Sequence, residues 1–313
     1  MPELLLHPYS ALNETEPGAI VAFGVGVDGL PYIVTALELL DDRVNQGGAS
    51  FPKIRPDLPQ GYRIHQGTPG TATLVTTIAQ EAFNIDLVQP IGRDGILLIS
   101  SRCQYRQDGA DENGRLYHGD GGFLHGITLG DGIQDAAITP DGLIWTSYFD
   151  EGVFGNFGWS KPLGNSGLVA WRTDGTVAYT YAPPAGLDRI CDCYAMNACG
   201  NDIWIYYYTE FPLVRIHHGA IAAHWQIPLR GADAFAISGN HALFRGGYDN
   251  RDIYHLIDLA QPAARETSRI QLRDRHGETI HAERVAARGG TLFLLRNREI
   301  FKLTVEDARR FTQ

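Results

Sequence analysis

A tight turn running straight into an apolar or aromatic strand recurs six times along this chain, and few folds can use such a repeat. The instances are Asp28-Gly29-Leu30-Pro31-Tyr32, Asp94-Gly95-Ile96-Leu97-Leu98, Asp141-Gly142-Leu143-Ile144-Trp145, Asn201-Asp202-Ile203-Trp204, Asn240-His241-Ala242-Leu243-Phe244 and Gly290-Thr291-Leu292-Phe293. Turns rich in Asp, Asn and Gly between apolar runs are hairpin signals, because the turn needs positive φ. Six hairpins in 313 residues give a spacing of about 52 residues, a propeller-blade period.

The strand before each hairpin repeats too. Gln134-Asp135-Ala136-Ala137-Ile138 lines up without gaps against Asp192-Cys193-Tyr194-Ala195-Met196, Asp233-Ala234-Phe235-Ala236-Ile237 and, more loosely, Glu283-Arg284-Val285-Ala286-Ala287. Small residues at the fourth place suit strands that converge on an axis. The chain has 36 Gly, 14 Tyr and 13 Phe beside 2 Met, a balance that favours strands and turns. Only Thr73 to Phe83 and Glu306 to Thr312 read as helical, too little for a parallel α/β fold, and a sandwich has no reason to repeat one inner strand.

The expected fold is therefore all-β: one six-bladed β-propeller spanning residues 1–313, with five and seven blades left open because the first blade is the longest. The last blade is one strand short after Ile300 to Val305. Glu3 to His7 is expected to supply the missing strand and close the ring, removing two sheet edges.

A net charge of −10 with no Lys/Arg cluster argues against a nucleic-acid partner. No apolar run is long enough to cross a membrane, and the start of the chain lacks the basic region of a signal peptide, so a cytoplasmic setting is expected. Four cysteines make no disulfide framework. Cys191, Cys193 and Cys199 lack the spacing of a zinc knuckle and read as structural.

The run Gly132 to Ser147, with Gly132-Ile133-Gln134-Asp135-Ala136-Ala137-Ile138-Thr139-Pro140-Asp141-Gly142 at its start, resembles blade signatures of streptogramin B lyases, of gluconolactonase and senescence-marker-type lactonases, and of NHL-repeat propellers. The resemblance covers one blade well and two or three weakly. It implies the propeller shape. In such lactonases, channel-lining carboxylates and Asn hold a divalent cation; in the lyases, a metal and a His–Glu pair drive elimination. Neither the Asn-Gly metal strand nor the His–Glu arrangement appears in this chain, so the resemblance leaves the reaction open.

Propeller connectivity gathers the beginnings of the inner strands, and the loops after the second strands, on one rim, here called the upper face. The polar residues brought there are Gln134, Asp135, Asp192, Asp233, His281 and Glu283, then Arg102, Tyr148, Asp150, Glu151, Tyr208, Glu210, Arg245, Tyr248, Asp249, Arg296 and Asn297. Three long loops, Glu38 to Gln60, Ser101 to Asn113 and Phe149 to Ser166, share that face, whereas the lower face has tight turns; long loops on a rigid scaffold are where binding usually resides.

Like charges near one axis raise one another's pKa, so these acids must bind a cation, pair with Arg or share protons. The leading expectation is an enzyme, lyase or hydrolase in type, acting on a small or sugar-like substrate that can bear a carboxylate. Asp192, Asp233 and Glu283 are candidate ligands of a divalent cation, Ca or Mg, and no nucleotide cofactor is expected. Asp135, Asp192, Asp233, His281, Tyr148 and Tyr208 are candidate acid–base residues. Arg102 and Arg245 would hold a substrate carboxylate, with Tyr248, Glu151, Glu210, Phe154 and Trp159 as further contacts. Glu151 to Trp159, three glycines among three aromatics, reads either as a mobile flap or as a loop folded on its own rings. The alternative is a propeller without chemistry, presenting the same face to a peptide, protein or glycan.

Overall fold

The computed structural model describes residues 1–260 and 263–312. Six antiparallel sheets stand around an axis, each beginning at the centre and stepping outward. Blade 1 is Ala19–Val25, Pro31–Ala36, Gln60–Thr68 and Thr71–Glu81. Blade 2 is Leu87–Ile91, Gly95–Ile99, Gly114–Tyr117 and Phe123–Ile127. Blade 3 is Ile133–Ile138, Ile144–Tyr148, Leu168–Trp171 and Val177–Thr180. Blade 4 is Asp192–Cys199, Asp202–Tyr208, Pro212–His217 and Ala220–Gln226. Blade 5 is Phe235–Ser238, His241–Arg245, Ile253–Asp258 and Arg265–Arg273. Blade 6 holds Arg284–Arg288, Thr291–Arg296 and Glu299–Thr304 from the end of the chain.

Burial follows radial position. Second strands such as Pro31–Ala36 and Ile144–Tyr148 are buried at every residue, because neighbouring blades cover both faces. Outer strands such as Ala220–Gln226 alternate between exposed and half-buried residues. The apolar clusters lie between blades: Leu97, Ile99 and Leu116 of blade 2 pack with Ile133, Ile144 and Val169 of blade 3. No blade can bury its faces alone, so the ring is the cooperative unit.

Closure occurs where the repeat required it, with different residues. Pro8–Ala11, not Glu3 to His7, pairs antiparallel with Glu299–Thr304 and completes blade 6. Glu3–Leu5 instead lies parallel on Arg265–Arg273, giving blade 5 a fifth strand. The N-terminus thus clamps two blades, and buried Leu6 and Leu12 pin the two ends of the clamp into apolar clusters of the last blades and the first.

Thr73 to Phe83 is not helical. It forms most of the outer strand Thr71–Glu81, whose partner Gln60–Thr68 offers a long ladder that outweighs local propensity. The helix at the C-terminus is present as Val305–Thr312, with Val305 and Ala308 buried. The extra length of blade 1 is an insertion between its second and third strands that forms a separate ribbon, Arg43–Gln46 with Ala49–Pro52. Among the described residues no helix is long and apolar enough to cross a membrane.

Candidate functional site

The depth of each acid follows from the ladders. Blades 3 and 4 carry the same bulge near the start of the inner strand, at Gln134 between Ile133 and Asp135, and at Tyr194 between Cys193 and Ala195. The true equivalence is therefore Gln134 with Tyr194, two residues away from the gapless alignment. Asp192 corresponds to Gly132 and sits on the rim, and Asp135 lies three residues further in, about 10 Å along the strand. Blades 4, 5 and 6 share two-residue turns closed by Cys199–Asp202, Ser238–His241 and Arg288–Thr291. Counting back from them places Asp233 and Glu283 level with Tyr194. The acids are staggered in height, and among the described residues no group of three or more His, Cys, Asp or Glu is placed to share a metal ion. Asp192, Asp233 and Glu283 are not brought together as one ligand set.

Several candidates are engaged in holding the fold. Tyr148 is fully buried and its hydroxyl donates to the Leu129 carbonyl, while burial pushes its pKa far up; it cannot relay protons at the rim. Arg102 is buried between Asp131, at 2.9 Å, and Glu151, with its guanidinium over Phe157 at 4.4 Å and Phe149 at 5.3 Å. Arg245 donates to Asp233 at 3.2 Å, to the Ala282 carbonyl at 2.9 Å and to the Arg251 carbonyl. Neither arginine is free to clamp a substrate carboxylate. Glu283 accepts the Asn297 N–H, and Glu210 pairs with Arg230 at 3.4 Å. His281 is exposed and bonded to Asp252 at 2.7 Å.

The glycine- and aromatic-rich segment is a folded loop. It opens as the short helix Asp150–Phe154 and turns back so that buried Trp159 donates its indole N–H to the Cys103 carbonyl at 2.7 Å. Gly132, at φ +70°, lets this helix approach: a Cβ there would stand 2.3 Å from the Gly152 nitrogen. Phe154 alone points outward, with Arg189 over its ring at 5.4 Å.

Beside that loop, four aromatic rings meet around Phe211. Its ring centre lies 5.2 Å from Tyr194, 5.7 Å from Tyr208 and 6.0 Å from Tyr248. Phe211 is buried, yet its backbone sits at φ +57°, a region that costs a non-glycine residue about 1 kcal/mol or more. The Tyr194 and Tyr248 hydroxyls bond to each other at 2.5 Å, and burial with that bond raises the Tyr194 pKa, so it stays protonated. Tyr248 and Tyr208 are 62% and 44% exposed, an aromatic shelf open to solvent on the upper face.

Next to the shelf, burial and then the Asp150 charge raise the Asp192 carboxyl to about 6. Tyr194 feels both carboxylates. A cavity of about 460 Å3 adjoins the shelf, walled by Tyr248, Arg230, Asp249, His255, Glu266 and Arg269 among others. Another of about 540 Å3 lies between blades 1 and 2 toward the lower face, lined by Tyr32, Thr76, Arg93, Asp94, His118 and Asp120; the lower face is thus more than tight turns. The central channel is far narrower, about 40 Å3.

Sequence reasoning missed Phe211, Tyr194, Asp131 and Asp111. Asp131 accepts from Arg102 and the Cys103 N–H, and Asp111 from Arg55, Arg106 and the Gln104 N–H, so each anchors an upper loop. Tyr194 stood inside the repeat with no role assigned to it; in the structure it is the bulged residue of its strand. Cys193 is buried, Cys191 half-buried and Cys199 exposed, and Cys199 stands at the far end of the strand Asp192–Cys199 from Cys191.

Residues 165–303, from the third strand of blade 3 into blade 6, match the model of the YxzG family, less than half of the chain. No curated protein matches the sequence. Among solved structures, a chain of the mitotic checkpoint complex superposes with a TM-score of 0.51 at 11% identity, over 95% of this chain and 91% of that one. YCF48 bound to D1 peptide gives 0.45 at 11%, over 97% and 98%. The periplasmic gluconolactonase of Pseudomonas aeruginosa gives 0.41 at 10%, over 80% and 85%. With its closed ring of six sheets, the chain is a six-bladed β-propeller.

Proposed function

We propose that the protein is a recognition propeller whose upper face captures a cationic segment of a polypeptide partner, a Lys or Arg side chain lying on the Tyr194–Tyr208–Tyr248 shelf beside Asp192 and Asp150. The observation that carries this reading is the juxtaposition of exposed tyrosines with two carboxylates that repel each other. A guanidinium or ammonium there would offset that repulsion and lie over aromatic faces, each such contact contributing roughly 0.5–2 kcal/mol. The net charge of −10 steers such a partner toward the protein. Phe211, strained but buried, is the support that sets the angle of the three tyrosines.

A second reading rests on the Asp192 carboxyl. A carboxylic acid titrating at about 6 can hand a proton to a leaving group near neutral pH, which suits hydrolysis of a sugar-like substrate. Panning a random peptide library against the whole protein and assaying a lactone and glycoside panel in parallel separates the two. Enrichment of Lys- or Arg-bearing peptides that Tyr248→Ala and Asp192→Asn no longer bind supports recognition. Turnover abolished by Asp192→Asn, with no peptide enriched, favours the hydrolase.

A further inference from the structure

The cavity of about 460 Å3 beside the tyrosine shelf owes its floor to one bulge in blade 5. His255 on the third strand pairs with Arg269 on the outer strand, and Ile257 pairs with Glu266, so Thr267 is the extra residue of the ladder. Residues three apart on a regular strand point to opposite faces; the bulge brings Glu266 and Arg269 to the same one, the face of His255. There the Arg269 guanidinium donates to Glu266, and Glu266 Oε2 lies 3.3 Å from His255 Nδ1. An ionised carboxylate can only accept, so Nδ1 carries the imidazole proton and Nε2 a lone pair. Burial holds the His255 pKa below its usual value, against the pull of Glu266, and the ring is neutral at pH 7.

His255 is 7% exposed, yet its Nε2 has no hydrogen-bond partner among the described residues. That nitrogen is not one of the unpartnered atoms closed off from solvent, so it opens into the cavity that His255 lines. A buried acceptor is costly unless water or a guest supplies a proton to it. The cavity falls within the roughly 300–1,000 Å3 of small-molecule sites. The charge on its walls decides which guest fits. Arg230 and Arg269 stand against Asp249 and Glu266, two cations and two carboxylates, and neutral His255 leaves that balance unchanged. An ion of either sign gains no net attraction there. A hydroxyl, which both donates and accepts, finds donors in the guanidinium groups and acceptors in Asp249 and Nε2. Tyr248, 62% exposed, adds an aromatic wall on which a carbon face can lie.

We infer that this cavity is a binding site for one neutral saccharide unit, whose hydroxyls donate to His255 Nε2 and the Asp249 carboxylate and accept from Arg230 and Arg269, while its carbon face lies on Tyr248. The cavity shares Tyr248 with the shelf but is lined by neither Asp192 nor Asp150, so the inference stands whichever reading of the shelf holds.

Saturation-transfer NMR on the full chain, with D-glucose, D-galactose, D-mannose and N-acetyl-D-glucosamine as probes, tests this. At least one of these sugars should bind with a Kd on the order of 1 mM, the strength open to a ligand of that size. It should bind about fivefold more tightly than its 2-ammonium and 6-carboxylate counterparts, which the balanced walls do not favour. His255→Phe keeps the bulk and removes the acceptor, and should weaken binding about tenfold. Should that variant fail to fold, Asp249→Ala on the exposed loop is expected to weaken binding about fivefold. Binding by none of these sugars, binding that both variants retain in full, or tighter binding of a charged counterpart overturns the inference.

Discussion

Phe211 stands edge-on to Tyr194, ring centres 5.2 Å apart at 84°, while its own backbone is held at φ +57°. A buried side chain in a strained conformation persists only where its surroundings over-determine it. Here the surroundings are the three tyrosines that it supports and, on its buried side, Tyr206 at 5.3 Å. Phe211→Ala should therefore cost about 3 kcal/mol in stability, within the usual range for a buried Phe, and should also weaken peptide binding. Tyr248→Ala should weaken binding and leave the unfolding midpoint within about 1 °C, because an exposed ring contributes little to the core. Chemical denaturation and titration calorimetry on both variants check the split.

Asn197 ties three blades. Its Nδ2 donates to the Phe235 and Gly289 carbonyls, both at 2.9 Å, and its Oδ1 accepts the Gly289 N–H at 2.8 Å. This bridge links the inner strand of blade 5 to blades 4 and 6. Asn197→Ala leaves buried backbone groups unpaired and should cost about 2–4 kcal/mol. Hydrogen exchange should show the loss spreading to residues 235–238 and 289.

Arg102 holds the loop that begins at Phe149 by pairing with Glu151 and with buried Asp131. Arg102→Met would leave the Asp131 carboxylate buried and uncompensated, a loss of about 3–5 kcal/mol. Limited proteolysis should then cut within residues 149–166, where the wild type resists. Arg102→Lys should recover only part of that loss, since an ammonium cannot serve both carboxylates in the same fork.

The pH dependence of stability has a definite sign at Asp135. Its folded carboxyl is raised to about 7 against an ordinary 3.8, so the stability it contributes is full below about pH 4 and is lost as pH rises through 7. Asp135→Asn mimics the neutral acid. Its thermal midpoint relative to wild type should therefore climb between pH 4 and pH 8. Asp274, lowered to about 2 chiefly by its bond to Arg296, acts in the opposite sense, losing its contribution as pH falls from about 4 through 2. Taking the difference between variant and wild type cancels that background.

The propeller was legible because each blade repeats a turn whose chemistry demands Gly, Asp or Asn, and because second strands, rich in apolar and aromatic residues, are buried on both faces, as Ile144–Tyr148 is. Closure was legible as a missing strand, but its residues were not. Pro8–Ala11 and Glu3–Leu5 are both short, and only the register with Glu299–Thr304 and Arg265–Arg273 separates their partners. The acids expected together on the upper face stand at different depths. A bulge at Gln134 and another at Tyr194 leave no mark in composition, and they decide that Asp135 lines the channel while Asp192 stays at the rim. Arg102 and Arg245 looked like substrate clamps because their partners Asp131 and Asp233 are distant in sequence or on another strand.

Hydrogen exchange of the full chain, with and without a library-selected peptide bearing Lys or Arg, tests the placement of function most directly. Protection is predicted at residues 192–194, 208–211 and 248, and it should disappear for the same peptide with the Lys or Arg replaced by Gln. Protection confined to the turns around Arg93 and His118, where the lower cavity lies, would contradict it.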